Sequence, residues 1–286
     1  MNHDDMSIEE LIGKALHEDL GREGDITSKA VFGEHQKGRA LIRSKGTGTL
    51  SGVFLIEPIF HAIDPALKIK TMLPDGSKLN PGSEICSLEG SLQSICAGER
   101  LALNFLQHLS GIATATAKLA GLISHTGARI LDTRKTTPLL RSLEKRAVTH
   151  GGGMNHRFGL FDMVLIKDTH VKAAGGVARA LAKARPAIAA LKKPVKVEVE
   201  VQTTEELLEA LPFAPDRIML DNMPVAQMAE CVKRVRSSAP RIELEASGNV
   251  DEYSVVAIAE TGVDFISVGA ITHSVKAMDI HLIIVD

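Results

Sequence analysis

The chain has 286 residues, enough for one large domain or two, with 33 Lys and Arg against 35 Asp and Glu and a net charge of −2. That balance leaves no global field to draw in nucleic acid or an anionic membrane, and eight Phe, one Tyr and no Trp offer little for base stacking. Hydrophobic content of 44% and charged content of 24% fit a globular chain with a sizeable core and exclude disordered and collagen-like classes.

Cys86, Cys96 and Cys231 are odd in number and lack C-x-x-C spacing. This argues against a disulfide framework or a structural zinc site and for a reducing, cytoplasmic location. Met1 to Leu20 carries acidic residues throughout and no apolar core behind a basic start, so it does not read as a signal peptide. Ser7 and Glu10 offer a capping box to a first helix, in which Ile8, Leu11, Ile12, Ala15 and Leu16 recur at helical spacing.

From Arg39 to Leu88 the pattern becomes short β-like runs, Arg39–Lys45 and Lys68–Leu73, punctuated by Gly and Pro and by the turn Pro74-Asp75-Gly76. Two helices are predicted next, over Leu92–Leu109 and Ile112–His125, joined near Gly111. The uncharged stretch Leu101–Ala117 contains Asn104, Gln107, His108 and Ser110, which reads as a buried helix pair and not as a membrane span. This first part is expected to be a small α+β domain.

After Gly127 short apolar runs alternate with helical stretches. The runs are Arg129–Leu131, Met163–Ile166, Val195–Val201, Arg217–Leu220, Ile242–Leu244 and Phe265–Val268. Helical periodicity falls on Val177–Leu191, Glu205–Leu211, Val225–Ser237 and Val250–Ala259. Alternation at this pitch predicts a parallel sheet, open or closed into a barrel.

All six predicted strands end in polar or glycine residues: Asp132-Thr133-Arg134-Lys135, Lys167-Asp168, Glu198 with Glu200, Asp221-Asn222, Glu245-Ala246-Ser247-Gly248-Asn249, and Gly269-Ala270. In a βα barrel these loops converge on one face, where active sites lie. Between Arg129 and Lys172 nine Lys and Arg stand against four Asp and Glu, a local charge of +5. Arg134, Lys135, Arg157 and Lys167, with His156 adjacent, suit an anionic ligand, since guanidinium grips carboxylate or phosphate bidentately. Arg141, Lys145 and Arg146 lie at helical spacing and fit a solvated helix face instead.

Lys167 directly follows the apolar run Val164-Leu165-Ile166 and so needs an anionic partner. Ser247-Gly248-Asn249 and Gly269-Ala270 are turns of the kind that cradle phosphate, though also of the kind that ordinary loops use. Glu198 and Glu200 share a strand face and must be paired with cations, metal or hydroxyls, one of them with a barrel lysine on one reading. Asp221 is better placed to meet a ligand, and such hard oxygens suit Mg²⁺ held largely through a substrate's phosphates.

At this point the residues form a recognisable set. Gly98-Glu99-Arg100, Asn104-Phe105-Leu106, Leu109-Ser110-Gly111-Ile112-Ala113-Thr114, Asp132-Thr133-Arg134-Lys135-Thr136-Thr137-Pro138, Gly151-Gly152-Gly153-Met154-Asn155-His156-Arg157 and Leu165-Ile166-Lys167-Asp168 resemble quinolinate phosphoribosyltransferase. Asp19-Leu20-Gly21, Gly24-Asp25-Ile26-Thr27, Leu220-Asp221-Asn222 and Val268-Gly269-Ala270 continue the likeness over essentially the whole chain.

The resemblance implies an α/β fold: an N-terminal α/β sandwich over residues 1–112, completed by the C-terminal segment 272–286, and an incomplete α/β barrel over 113–271. It also implies a homodimer whose active site joins one subunit's barrel to its partner's N-terminal domain. The implied reaction, in NAD biosynthesis, is quinolinate plus phosphoribosyl pyrophosphate giving nicotinate mononucleotide, pyrophosphate and carbon dioxide, with Mg²⁺.

By matching motif, Arg100, Arg134, His156 and Arg157 would bind the pyridine dicarboxylate, Thr133 would be a further substrate-binding residue, and Lys135 and Lys167 would face the dicarboxylate and the pyrophosphate. Glu200 and Asp221 would hold ribose hydroxyls or the metal. Ser247, Gly248, Asn249, Gly269 and His273 would hold the 5′-phosphate, with Val268 and Ala270 as further substrate-binding residues. Three positions depart from the pattern: Leu139 where glycine is common, Asn249 for a second glycine, and Thr169 for asparagine. Two other readings stand beside this one: a paralogue acting on another aromatic acid, and a barrel lyase using Lys167 as a Schiff-base amine.

Overall fold

The computed structural model describes residues 6–285. Residues 1–5, which include Asp4 and Asp5, and the last residue of the 272–286 segment lie outside the described residues. Two compact units are present. One comprises the chain up to Ala115, Pro138–Gly151 and the segment from Val275 onward; the other comprises Thr116–Thr137 and Gly152–Ser274.

Elements are numbered along the chain. The first unit opens with helices α1 (Ile8–Leu20) and α2 (Ile26–Val31). The Ser7 side chain accepts from Glu10 N–H at the start of α1, and Asp25 accepts from Thr27 and Ser28 N–H at the start of α2. There follow β1 (Lys37–Ser44), β2 (Gly48–Thr49), α3 (Ile56–Ile63), β3 (Lys68–Thr71), β4 (Lys78–Leu79) and β5 (Glu84–Ser91).

The principal sheet of this unit is antiparallel in the order β12-β1-β5-β3, so its outer strand β12 (Ile280–Val285) comes from the far end of the chain. β12 pairs along β1 from Arg39 opposite Val285 to Ser44 opposite Ile280. Ala40, Ile42, Ile85 and Leu88 are buried in the core, together with Ile59 and Phe60 of α3.

One helix, α4 (Leu92–Leu122), replaces the two predicted across Gly111. A Cβ at Gly111 would stand 2.5 Å from the carbonyl oxygen of Lys276, so this glycine allows a passing backbone to touch the helix and does not end it. Helix α5 (Arg141–His150) also belongs to this unit, and the solvated face expected there is found only in part, with Arg146 exposed and Arg141 half-buried. Glu144 and Lys145 are buried, His108 Nε2 lies 2.8 Å from Glu144, and the Arg146 guanidinium lies over the Phe54 ring at 3.6 Å. Basic residues at helical spacing look alike whether they face water or an apolar shelf that covers their stems.

The second unit is built on six parallel strands in the order β6-β11-β10-β9-β8-β7. These are β6 (Arg129–Leu131), β7 (Met163–Ile166), β8 (Lys196–Val201), β9 (Arg217–Asp221), β10 (Glu243–Ser247) and β11 (Phe265–Ser267). Helices α6 (Asp168–Ala174), α7 (Val177–Ala189), α8 (Thr204–Ala210), α9 (Val225–Ser238), α10 (Val255–Ala259) and α11 (Ala270–His273) alternate with them. Five consecutive strands lie side by side, β6 adds beyond β11, and no ladder joins β6 to β7, so the barrel is incomplete.

Alternation along the strands sorts the side chains. Val199, Val201, Ile218, Leu220, Leu244, Ala246 and Ile266 are fully buried on one face, whereas Glu198, Glu200, Arg217, Asp221, Glu245 and Ser247 share the other. A charged interior costs desolvation that only pairing or a ligand can offset. Helix α10 begins five residues later than expected, because Asp251 accepts from Tyr253 and Ser254 N–H in a turn ahead of it.

Candidate active site

A cleft of about 460 Å³ opens in the second unit and is lined from the strand ends. Nine of the predicted residues line it: Thr133, Arg134, Lys135, His156, Arg157, Lys167, Glu200, Asp221 and Ser247. The others stand elsewhere. Gly248 and Asn249 continue the turn after β10, Val268, Gly269, Ala270 and His273 follow β11, and Arg100 is exposed on α4 in the first unit. A Cβ built on Gly269 would lie 3.0 Å from Lys135 Cδ and 3.1 Å from His273 Nε2, so these three residues are neighbours.

The loop after β6 is fixed from both sides. Thr133 Oγ1 accepts from Lys135 N–H at 3.0 Å, and Thr272 Oγ1 donates to the Lys135 carbonyl at 2.8 Å. Further along, Leu139 sits at φ 68° and is exposed, a left-handed conformation that glycine adopts more cheaply. Asp162 accepts from Phe158 and Gly159 N–H and shapes the loop after Arg157. The Arg157 guanidinium is buried and donates to the Met163 carbonyl at 3.1 Å. Burial, followed by the charge of Arg134, pushes Arg157 below the usual arginine range. Cations pressed together in this way favour an anion between them.

Lys167 finds the partner it needs: its Nζ lies 3.3 Å from Glu200 Oε1. The other oxygen of Glu200 accepts from Asp168 N–H at 3.1 Å. His170 Nδ1 accepts from the Lys167 N–H at 2.9 Å, which fixes the start of α6. The lysine-paired glutamate is therefore Glu200, and Glu198 lies deeper, with no exposed surface. The Asp221 carboxylate receives Asn222 Nδ2 at 2.9 Å and Gln202 Nε2 at 3.4 Å, both on Oδ2.

At the base of the cleft lies a charged floor whose cation, Arg217, the sequence reading missed. Arg217 donates through Nη1 to Glu245 at 2.8 Å and through Nη2 to Glu243 at 3.0 Å, with its guanidinium over the Phe265 ring. His156 Nε2 lies 3.1 Å from Glu198 and 3.5 Å from Glu245, while its Nδ1 accepts from Arg157 N–H at 2.7 Å. The imidazole thus turns its nitrogens to the floor and to the backbone. Burial pushes both the Glu198 and Glu245 carboxyls up to about 7.

Glu245 stood among the strand-end residues without a role, although Glu243 and Glu245 repeat the Glu198 and Glu200 alternation. Arg217 and Gln202 carried no such signal.

His156, Glu198 and Glu245 also form the one cluster with metal-ligating spacing among the described residues. With Arg217 donating to Glu245, the floor already holds a cation. No helix among the described residues is long and apolar enough to cross a membrane.

Comparison with known proteins agrees with this geometry. Residues 25–110 match the sequence model of the quinolinate phosphoribosyl transferase N-terminal domain, and residues 112–283 match that of its C-terminal domain. A quinolinate phosphoribosyltransferase (decarboxylating) of Nicotiana tabacum is 43% identical, over 98% of this chain and 83% of its own length. A probable nicotinate-nucleotide pyrophosphorylase (carboxylating) of Bacillus subtilis is 41% identical, over 99% and 94%. The solved nicotinate-nucleotide pyrophosphorylase of Francisella tularensis superposes with a TM-score of 0.90 at 39% identity, over 99% of this chain and 100% of its own. Matched over both domains and nearly end to end, the chain belongs to the quinolinate phosphoribosyltransferase family.

Proposed function

We propose that this protein transfers phosphoribosyl from phosphoribosyl pyrophosphate to quinolinate with decarboxylation, giving nicotinate mononucleotide, pyrophosphate and carbon dioxide in NAD biosynthesis. One observation carries the reading: Arg134, Lys135, Arg157 and Lys167 converge with Glu200 and Asp221 at the same ends of parallel strands. Such a cleft suits a reaction in which two anionic substrates meet around a sugar that becomes cationic.

Displacement at the anomeric carbon breaks its bond to pyrophosphate and forms one to the pyridine nitrogen, through an oxocarbenium-like state. Arg134 and Arg157 hold the ring carboxylates and so position the nitrogen. Lys135 and Lys167 meet the charge that builds on the departing pyrophosphate. Glu200, oriented by Lys167 and the Asp168 N–H, and Asp221 face the ribose hydroxyls. The carboxylate beside the nitrogen then leaves as carbon dioxide. Its bonding pair passes to the ring carbon of the cationic pyridinium, which takes up a proton.

Asp221, whose two side-chain donors both fall on Oδ2, fits a hard divalent cation shared with pyrophosphate, and Glu200 stands beside it in the same lining. Mg²⁺ at these carboxylates would supply further neutralisation of the leaving phosphates. The turns around Gly248 and Gly269, with His273, would receive the 5′-phosphate. A homodimer would bring the partner's Arg100 to the cleft. The unpaired cysteines support a reducing, cytoplasmic setting. Lys167 as a Schiff-base amine draws no support from the family match, which covers both domains.

The test is release of pyrophosphate and carbon dioxide from quinolinate and phosphoribosyl pyrophosphate with Mg²⁺, against nicotinate as a control. A site built for two carboxylates should prefer quinolinate in kcat/KM by about 10⁴-fold. Comparable values for both acids would assign the cations to phosphates alone and overturn the substrate.

A further inference from the structure

Asn222 follows the last residue of β9 and adopts φ 54°, in the left-handed region. Its N–H donates to the Ser247 carbonyl at 2.8 Å, one step beyond the pairing of Ser247 with Asp221. Its Nδ2 donates to Asp221 Oδ2 at 2.9 Å. Only the amide nitrogen can face a carboxylate, so that contact also sets which way the carboxamide points. The oxygen then meets the turn after β10. A Cβ at Gly248, which holds φ 108°, would fall 2.1 Å from Asn222 Oδ1 and 3.0 Å from its Cα. The carboxamide is thus wedged between the Asp221 carboxylate and the Ser247-Gly248-Asn249 turn.

We infer that Asn222 is a positioning residue that registers Asp221 against this turn, so that the ribose end and the 5′-phosphate end of the donor substrate meet preset partners. The inference rests on the proposed function. Two features separate it from an ordinary turn residue. Glycine satisfies a left-handed backbone at least as well as asparagine, so the backbone alone does not require a carboxamide. The side chain is exposed, so it buries no core surface that would account for its ordered placement. What it orders lies on either side of it.

Asn222→Gly keeps the backbone conformation and removes the carboxamide. Asn222→Asp keeps its shape and sets a second carboxylate against Asp221. Each variant is compared with the unaltered protein by calorimetric Kd for phosphoribosyl pyrophosphate with Mg²⁺, by KM for both substrates, and by Tm.

The expected result for Asn222→Gly is an unchanged Tm, with Kd and KM for phosphoribosyl pyrophosphate raised about tenfold, at the lower end for lost partners of a ligating group. KM for quinolinate should stay within about twofold, and Asn222→Asp should be worse than Asn222→Gly for the phosphoribosyl donor only. Equal Kd values in the unaltered protein and Asn222→Gly would reduce Asn222 to a turn residue and overturn the inference. So would a parallel rise in both KM values, which would mean general loosening. Failure of the unaltered protein to bind phosphoribosyl pyrophosphate at all would instead strike the proposed function, and this inference with it.

Discussion

At the residue scale, the site separates groups that were equivalent as letters. Lys135 and Lys167 both follow strands, yet Lys167 is paired with Glu200, whereas Lys135 is held by its backbone beside Gly269 and His273. Under the proposed mechanism Lys135 meets charge that appears only as pyrophosphate departs. Lys135→Ala should therefore lower kcat more than it raises KM, with about 2–4 kcal/mol of transition-state stabilisation lost. A change confined to KM, in steady-state kinetics with both substrates varied, would assign Lys135 to uniform binding. His156 lines the same cleft, and its nitrogens turn to Glu198, Glu245 and the Arg157 N–H.

At the scale of elements, α4 shows how one contact decides what a glycine means. Alanine at Gly111 would gain about 1 kcal/mol in helix propensity. Its Cβ would stand 2.5 Å from the Lys276 carbonyl oxygen, a backbone atom that has no rotamer to escape into. Overpacking of this kind costs about 1–3 kcal/mol, so the clash outweighs the gain and Gly111→Ala should be destabilising by up to about 2 kcal/mol. Denaturant unfolding measures it, and a midpoint that rises would mean that the Lys276 segment moves aside freely. The strands of the second unit carry the complementary lesson. Their period of two was legible, but the same alternation serves an apolar interior with polar loops or, as here, an apolar exterior with a charged interior.

At the scale of the whole molecule, the charged floor should make stability depend on pH. Glu198 and Glu245 are pushed up to about 7 by burial, against an ordinary value of 4.5. The folded state then holds protons that the unfolded chain has released. The associated stability is complete below pH 4.5 and is lost as pH rises through 7. Glu198→Gln has nothing to titrate at this position, so its Tm should fall less than that of the unaltered ligand-free protein between pH 5 and 7.5, by roughly 5 °C. Parallel Tm curves for the two proteins would show that the floor does not hold the proton.

Assembly is tested at the same scale. If Arg100 completes the partner's cleft, mixing inactive Arg100→Ala and Lys167→Ala subunits should restore activity, because one site of each mixed dimer carries neither defect. Subunits shown to exchange without any recovery would exclude a shared site.

Much of this protein was determined by its sequence alone. Six strands in a βα alternation, the concentration of cations between Arg129 and Lys172, and the motifs from Asp132 to Asp168 all depend on neighbours in the chain. Period, turn chemistry and motif order are local quantities, and a sequence displays them directly. Tertiary structure decided what depends on residues far apart. It joined β12 to β1, carried α4 unbroken past Gly111, buried Lys145, and gave Lys167 to Glu200 rather than Glu198. It also assembled Arg217, Glu245, Glu198 and His156 from three strands and a loop into one buried group. Burial and pairing are properties of the packed interior, where the free energy of a charge depends on what faces it and not on what precedes it in the chain.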